Sequence, residues 1–325
     1  MSEAKGMIKT MENTRAKTTR NSLILLLTAA IWGMAFVSQS KGMDYMHPFT
    51  FNGVRSLIGA ASILVYILIS RKIAGDKAAP LDWKLNVKAG ILCGIFLTIA
   101  STLQQFGIKY TSVGKAGFIT TLYIIFVPMF GIFLKKKVAP VVWVAAVMAA
   151  VGMYLLCMTE SLRLGAGDIM VFLCAIAFAI QIMTVDHYAA RIDGAVVSCI
   201  QFTVCGVVCC IGALIWGQPT FGQLQEGLGA LLYAGVLSCG VGYTLQIVGQ
   251  KGLNPTVAAL IMSLESVIAT ISGWIAYKIG FLTTDQTLTA RQIAGCVIVF
   301  AAVILVQLPP EWFRFGKKNA SIKNA

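Results

Sequence analysis

Hydrophobic residues follow one another in long runs along most of the chain, and short polar segments separate these runs. A helix that crosses a bilayer needs about 20 consecutive, mainly apolar residues. By this criterion the hydropathy pattern predicts an all-α membrane protein with ten transmembrane helices, at residues 22–40, 48–70, 87–107, 113–134, 139–158, 167–187, 195–216, 227–249, 254–277 and 288–308. Asn254 before Pro255 is typical of a helix start, and Pro309–Pro310 is typical of a helix end.

One polar segment of the chain occurs twice. Thr102–Lys109 (TLQQFGIK) matches Thr244–Lys251 (TLQIVGQK) at five of eight positions, 142 residues further along. The same offset places Tyr123 opposite Glu265. Polar matches at fixed spacing indicate an internal repeat. Each copy holds five predicted helices, and because five is odd the second copy must enter the bilayer from the opposite face, so we predict two inverted five-helix repeats.

The repeat divides the chain into five parts. We predict a basic tail at residues 1–21, a first repeat at 22–158, an external connector at 159–166, a second repeat at 167–308 and a second basic tail at 309–325. Inverted repeats supply two nearly equivalent conformations that open to opposite sides of the membrane around a site at the midplane. This geometry favours alternating access.

Positive charge is distributed unevenly between the predicted sides. The chain carries 26 Lys and Arg against 13 Asp and Glu, and only 12% of its residues are charged, whereas soluble domains are about 25% charged. With both termini in the cytoplasm, 19 Lys and Arg fall on the cytoplasmic side and 6 on the other. Cytoplasmic loops are enriched in these residues, so we predict both termini to be cytoplasmic. The basic residues then set the orientation of the protein in the membrane, and we expect no binding of nucleic acid.

Short motifs along the chain are similar to those of a known family: Ala29–Gly33 (AAIWG), Pro48 and Arg55, the stretch Thr111–Pro128 with its counterpart Asn254–Glu265, and Arg291–Gly295. By the order of these motifs over both repeats, the chain resembles the EamA-like family of the drug/metabolite transporter superfamily. The resemblance implies a ten-helix inverted-repeat carrier. Such carriers move small organic solutes, usually amino acids or related metabolites and commonly as export, across a bacterial plasma membrane.

Two charged residues inside predicted helices are the first site candidates, because a charge at a helix centre costs about 2.5–3.5 kcal/mol on insertion scales. Glu265 is about eleven residues into the ninth helix, near the midplane, and no other carboxylate is predicted at that depth. It either binds a substrate amine or exchanges a coupling proton, or it pairs structurally with Arg55. Arg55 is about seven residues inside the second helix, where its charged end could also reach interfacial water.

Uncharged residues complete the candidate set. Amide groups, which bind the polar ends of a zwitterion or join helices to one another, come from five glutamines: Gln104, Gln105, Gln181, Gln201 and Gln246. Tyr123 is expected to face Glu265. Trp32, which we align with Phe178 of the second repeat, is expected to wall the cavity or to pack between helices. Pro128 is expected to kink the fourth helix.

The sequence therefore predicts a secondary transporter, in the plasma (inner) membrane, that exports small organic metabolites such as amino acids. Its partners are the solute and the lipid bilayer; coupling to a proton or another ion, and the oligomeric state, stay open. We predict no cofactor, metal or enzymatic activity, because GxxxxGK[ST], HExxH and GxSxG motifs are absent and His47 and His187 are predicted at opposite membrane edges. The alternatives are an intramembrane enzyme and a multi-span receptor or scaffold without transport activity.

Overall fold

A computed structural model describes residues 2–75, 80–111, 113–135, 139–157, 165–282 and 287–307. All regular secondary structure in these ranges is helical. Most of the connector predicted at 159–166 lies outside the described residues. The tail predicted at 309–325, with the helix end at Pro309–Pro310, lies outside them entirely.

The helices follow one another with short connections and are numbered here in chain order: α1 (Ser2–Gly42), α2 (Pro48–Ala74), α3 (Trp83–Ile108), α4 (Val113–Phe133), α5 (Pro140–Cys157), α6 (Ala166–Tyr188), α7 (Gly194–Gly217), α8 (Leu228–Gln250), α9 (Pro255–Lys278) and α10 (Ala290–Gln307). A short helix, Phe221–Glu226, precedes α8. Within the described ranges, eight helices are long and apolar enough to cross a membrane, and α5 and α10 are apolar but shorter. The prediction of an all-helical membrane protein is confirmed, whereas ten spans stay a prediction.

Polar residues are concentrated inside the bundle, and large apolar residues cover much of its outside. Asn52, Gln104 and Glu265 are buried, whereas Leu68 in α2 and Phe133 in α4 are 61% and 80% exposed. Water-soluble proteins show the opposite preference for these residue types. The arrangement suits helices surrounded by lipid, because the apolar side chains on the outside can contact lipid. Each helix also satisfies its own backbone hydrogen bonds.

Local chemistry explains where α9 and α1 begin. Asn254 Oδ1 accepts a hydrogen bond from the Thr256 N–H at 2.9 Å, and Pro255 occupies the first helical position, which confirms the start predicted there. By contrast, α1 is helical from Ser2, well before the predicted residue 22. Residues 2–21 contain no proline and are rich in Ala, Lys, Met, Glu and Arg, which favour helix.

Two of the long helices are interrupted at positions that match the repeat offset to within one residue. The helix α4 consists of Val113–Thr121 and Tyr123–Phe133, and α9 consists of Pro255–Met262 and Leu264–Lys278. The Thr121 hydroxyl donates to Phe118 O at 2.9 Å, and the Ser263 hydroxyl, 142 residues later, donates to Leu260 O at 2.7 Å. Such bonds compete with the backbone hydrogen bonds of the helix and bend it.

Pro128, which was expected to kink the fourth helix, is not at this interruption. It lies within the helical segment Tyr123–Phe133, six residues after the break at Leu122. In α9 the corresponding position is Thr270, and α9 is interrupted without any proline there. The hydroxyl bonds of Thr121 and Ser263 lie next to the two breaks, and the kink expected at Pro128 stays a prediction.

Two pairs of packed helices run in opposite directions. In each pair, residue numbers rise along the first helix while the numbers of the contacting residues fall along the second. The contacts are Gly53–Cys210 and Ala60–Cys199 between α2 and α7, and Gly114–Thr270 and Tyr123–Glu265 between α4 and α9. In both pairs the second helix is the one that the repeat offset assigns to the first.

Two further helix pairs run in the same direction. The contacts advance together along both helices: Gly90–Ile200 and Gly94–Val204 between α3 and α7, and Ile58–Gly235 and Ser62–Gly240 between α2 and α8. Because α2 and α7 are antiparallel, α3 and α8 must also run in opposite directions. These two helices carry the repeated TLQ motif.

The α5–α10 contact depends on Gly152. A Cβ atom at this position would lie 2.8 Å from Gly295 O and 2.9 Å from Val299 N, both backbone atoms. We expect Gly152→Ala to lower the free energy of unfolding by about 1–3 kcal/mol through overpacking, measured by thermal unfolding in detergent. The matched control is Gly229→Ala in α8, where a Cβ atom would have no neighbour within 4 Å and alanine favours helix. Equal losses in both variants would contradict the tight contact.

Candidate functional site

A small cavity lies inside the bundle between α1–α4 and α6–α9. Polar, aromatic and aliphatic side chains form its walls, and Arg55 and Glu265 both contribute to them. The cavity volume that is accessible to water is about 40 Å³, which is room for about three water molecules. A solute as large as an amino acid therefore fits only if the walls move apart.

Tyr123 and Glu265 face each other at this cavity. Tyr123 Oη donates a hydrogen bond to Glu265 Oε1 at 3.0 Å, and both residues are almost fully buried. Tyr123 directly follows the interruption of α4 at Leu122, and Glu265 is two residues after the interruption of α9 at Ser263. The predicted register, which set Tyr123 opposite Glu265, thus corresponds to a direct contact between the two positions.

Arg55 lines the same cavity but does not pair with Glu265. These two described residues form no ion pair, and Arg55 Nε instead donates to Asn52 Oδ1 at 3.0 Å. Arg55 is 5% exposed, so its guanidinium group does not reach the membrane surface. Both structural roles considered from the sequence, an ion pair with Glu265 and contact with interfacial water, are therefore missing in this conformation.

Three of the predicted glutamines line the cavity. Gln104 Nε2 donates to Thr120 Oγ1 at 3.2 Å, and Gln246 Nε2 donates to Gln181 Oε1 at 3.2 Å. Gln181 Nε2 and Gln246 Oε1 have no hydrogen-bond partner among the described residues. One donor and one acceptor on residues of the cavity wall are therefore buried without a hydrogen bond in this conformation.

The other two predicted glutamines lie away from the cavity. Gln105 Nε2 donates to the backbone oxygen of Gln39 at 3.2 Å, and Gln201 is buried in α7 with no partner for its amide in the described part of the chain. Neighbouring residues of a helix point about 100° apart. Gln104 and Gln105 therefore point in different directions, and the sequence motif alone does not say which of them lines the cavity.

The cavity walls also include residues that were not predicted from the sequence, among them Phe36, Gln39, Asn52, Ser101 and Tyr243. The repeat offset could have found Phe36 and Gln39, as the partners of Phe178 and Gln181. Six pairs of lining residues are 142 positions apart: Phe36–Phe178, Gln39–Gln181, Leu97–Cys239, Ser101–Tyr243, Gln104–Gln246 and Tyr123–Glu265. The partner assigned to Phe178 is thus corrected from Trp32 to Phe36, although Trp32 also lines the cavity.

The surroundings of Trp32 explain the Trp–Gly pair in the first helix. Trp32 Nε1 donates to Ser238 O at 3.4 Å, and its ring centroid is 4.5 Å from that of Tyr243. Ser238 lies in Tyr233–Gly242, a stretch of α8 wound as π-helix, a form frequent at functional sites. A Cβ atom at Gly33 would lie 2.8 Å from Glu265 O, so this glycine lets α1 approach the site.

The two histidines lie far apart in the sequence and take no part in the cavity. His47 Nδ1 accepts a hydrogen bond from the Phe49 N–H at 3.4 Å and caps α2. Partial burial and the nearby Lys109 lower the pKa of His47, which favours the neutral ring that accepts this bond. No group of three or more His, Cys, Asp or Glu within the described ranges is placed to hold a metal ion.

Known proteins with similar sequences are transporters by name. The sequence model of the EamA-like transporter family matches twice, at residues 20–158 and 165–308. An uncharacterized transporter of Archaeoglobus fulgidus is 28% identical over 285 residues, which cover 87% of this chain and 84% of the relative. The uncharacterized transporter YwfM of Bacillus subtilis is 24% identical over 294 residues, which cover 89% and 94%.

A solved crystal structure has the same fold. It superposes with a TM-score of 0.70 at 16% sequence identity, and the match covers 91% of this chain and 99% of the solved one. The two family matches together cover most of the chain and include every lining residue discussed above. These matches and the apolar helices point to transport rather than to enzymatic catalysis. The chain therefore belongs to the EamA-like transporter family and is a multi-pass membrane transporter.

Proposed function

We propose that this transporter is a secondary carrier that exports small organic metabolites, amino acids among them, across the plasma (inner) membrane. It works by alternating access around the cavity. The observation that carries the proposal is the Tyr123–Glu265 hydrogen bond at 3.0 Å, which joins two interrupted helices beside the cavity. Interrupted helices with polar groups at the break are typical of substrate and ion sites in secondary transporters.

Alternating access rests on the proposed architecture of ten spans in two inverted repeats, at residues 22–158 and 167–308. The antiparallel pairs α2–α7 and α4–α9 support it, because each pair joins helices that the offset of 142 residues makes counterparts. A two-fold axis in the membrane plane relates such pairs. Rocking of one repeat against the other then exposes the same residues first to one side and then to the other.

The proposed orientation places both termini in the cytoplasm, on the basis of the 19 to 6 charge distribution. In a cysteine-free background, Asp44→Cys and Pro219→Cys should react with an impermeant thiol reagent in intact cells. Their loops lie at the same end of the bundle, since a Cβ atom at Gly217 would contact Thr50 Oγ1. The control, Arg191→Cys, should react only after permeabilisation. Labelling of a tagged terminus from outside would contradict this topology.

Transport itself is tested with purified protein in lipid vesicles. Vesicles preloaded with unlabelled amino acids should take up the labelled compound by exchange, and vesicles without protein should not. An imposed pH gradient should change the rate if Glu265 carries the coupling proton. An intramembrane enzyme would convert the compound instead of moving it, and a receptor or scaffold would leave it outside.

A further inference from the structure

We propose that Arg55 binds the carboxylate of the transported solute and thereby sets the orientation of that solute in the cavity. The inference deepens the proposed transport function and rests on it. It starts from a charge that the fold leaves unbalanced: Arg55 is 5% exposed and lines the cavity. A guanidinium group stays protonated in proteins, so a full positive charge is buried there.

No acidic residue in the described part of the chain neutralises this charge. The ion pairs Lys41–Asp44 and Lys115–Asp168 do not involve Arg55, and no carboxylate lies within 4 Å of it. A buried charge without a partner is strongly destabilising. A carrier that binds an anionic group at this place gains the missing partner each time the solute enters.

The neighbours of Arg55 hold its guanidinium group in place without using its outer donors. Its Nε donates to Asn52 Oδ1 at 3.0 Å, and Asn52 Nδ2 in turn donates to Ser101 Oγ at 3.0 Å and Cys209 Sγ at 3.2 Å. These bonds determine which way the Asn52 amide points. The two Nη groups of Arg55 have no acceptor among the described residues, and their parallel N–H bonds match the two oxygens of a carboxylate.

The rest of the cavity explains why a carboxylate is favoured over a larger anion. Among the described residues that line the cavity, Arg55 is the only Lys or Arg. Multiply charged anions such as phosphate need several cations or backbone donors, so a single Arg suits a carboxylate better. Glu265 is the acidic group on the same walls, and Tyr123 holds it. A zwitterion, with its carboxylate on Arg55 and its amino group towards Glu265, satisfies both.

The test compares matched solutes on matched variants. The probes are the proteinogenic L-amino acids, short monocarboxylates, inorganic phosphate, amines and sugars, followed for each bound amino acid by its amide and its decarboxylated amine. Affinity is measured by thermal stabilisation of the purified protein, and transport by exchange in vesicles. The variants are Arg55→Gln and Arg55→Lys. Arg71→Gln is the control, because it changes the same residue type on the same helix away from the cavity.

We expect wild type to bind amino acids more tightly than their amides, and Arg55→Gln to weaken amino-acid binding about 30-fold with little change for the decarboxylated amines. Arg55→Lys should recover part of the affinity, since it keeps the charge but loses the paired donors. Arg71→Gln should match wild type. Equal weakening of amino acids and amines in Arg55→Gln, or tighter binding of phosphate than of carboxylates, would overturn the inference.

A second measurement uses wild type alone, in case Arg55→Gln does not fold. Phenylglyoxal modifies arginine, and a bound carboxylate should slow the modification of Arg55, followed by mass spectrometry, without slowing that of Arg71. Modification of Arg55 that carboxylates do not slow would contradict the inference. If amines or sugars are transported and no carboxylate binds, the result supports the proposed transport function and contradicts the role of Arg55. If no probe is transported, the proposed function falls as well.

Discussion

Glu265→Gln is expected to yield a folded, membrane-inserted protein whose transport is abolished or no longer responds to a pH gradient. The amide keeps the size of the side chain and an oxygen that accepts the Tyr123 hydroxyl bond, but it neither releases a proton nor attracts an amine. In wild type, low dielectric surroundings disfavour the carboxylate, and an arriving substrate amine favours it. Proton release and amine binding are then linked through one side chain, which is a mechanism for exchange.

The structure sharpens the interpretation of this variant. Glu265 forms no ion pair with Arg55, so Glu265→Gln leaves no cation without its partner. Expression and thermal stability should therefore stay near those of wild type. Tyr123→Phe should weaken the pH response less, since it removes only the single donor. The matched control is Glu226→Gln at the exposed end of Phe221–Glu226. Unchanged rate and unchanged pH dependence in Glu265→Gln would exclude Glu265 as coupling residue and as ligand.

Asp168→Asn is expected to give the second large effect, by loosening one end of the bundle. Asp168 accepts hydrogen bonds from Lys115 Nζ at 2.6 Å, Thr111 Oγ1 at 2.8 Å and the Gly165 N–H at 2.8 Å. These bonds tie the connection between α3 and α4 to the start of α6. The Asp168 side chain is 4% exposed and that of Lys115 is 20% exposed, so loss of one charge from this partly buried pair should cost about 1–3 kcal/mol, and the variant should unfold at lower temperature.

The same variant should shift the equilibrium between the two conformations of the proposed alternating-access mechanism. The positions 142 residues away from Lys115 and Asp168 are Val257 and Leu26, so the opposite end has no equivalent ion pair at these positions. The pair joins α4 of the proposed first repeat to α6 of the proposed second repeat, so we expect that its loss favours opening at the Asp168 end. A cysteine at Ser101, on the cavity wall, should then react faster with an impermeant reagent supplied from the Asp168 side.

The exposed pair Lys41–Asp44 provides the control for this experiment. Its side chains are 21% and 56% exposed, and surface pairs of this kind contribute about 0–1 kcal/mol. Asp44→Asn should therefore change neither thermal stability nor cysteine labelling to a measurable degree. A larger effect from Asp44→Asn than from Asp168→Asn would contradict the role assigned to the buried pair.

Much of the architecture could be predicted from the chain because the bilayer imposes a strong length requirement. Runs of apolar residues mark α2, α3 and α6 within a few residues of their observed ends, since lipid tolerates few charges over the width of its core. The internal match at 142 residues predicted that Tyr123 faces Glu265, and the two residues form a hydrogen bond.

Other features depend on contacts between segments distant in sequence. The hydropathy pattern does not predict that Gln104 rather than Gln105 faces the cavity, because the rotation of α3 against its neighbours determines which side chain does so. The interruption of α4 at Leu122 lies next to the hydroxyl bond of Thr121, whereas Pro128 is the more visible signal in the sequence.

The sequence by itself determined the helical membrane class, the repeat and the polar residues available inside the bilayer, because hydropathy and internal similarity are properties of the chain alone. Only the tertiary structure decided which of these residues share a cavity and which of them are partnered. Asn52 bonds Arg55 and leaves its outer donors free, and Glu265 bonds Tyr123 instead of Arg55. The physical reason is that a buried polar group is satisfied by whatever packing brings within about 3 Å, and packing joins residues far apart in the chain.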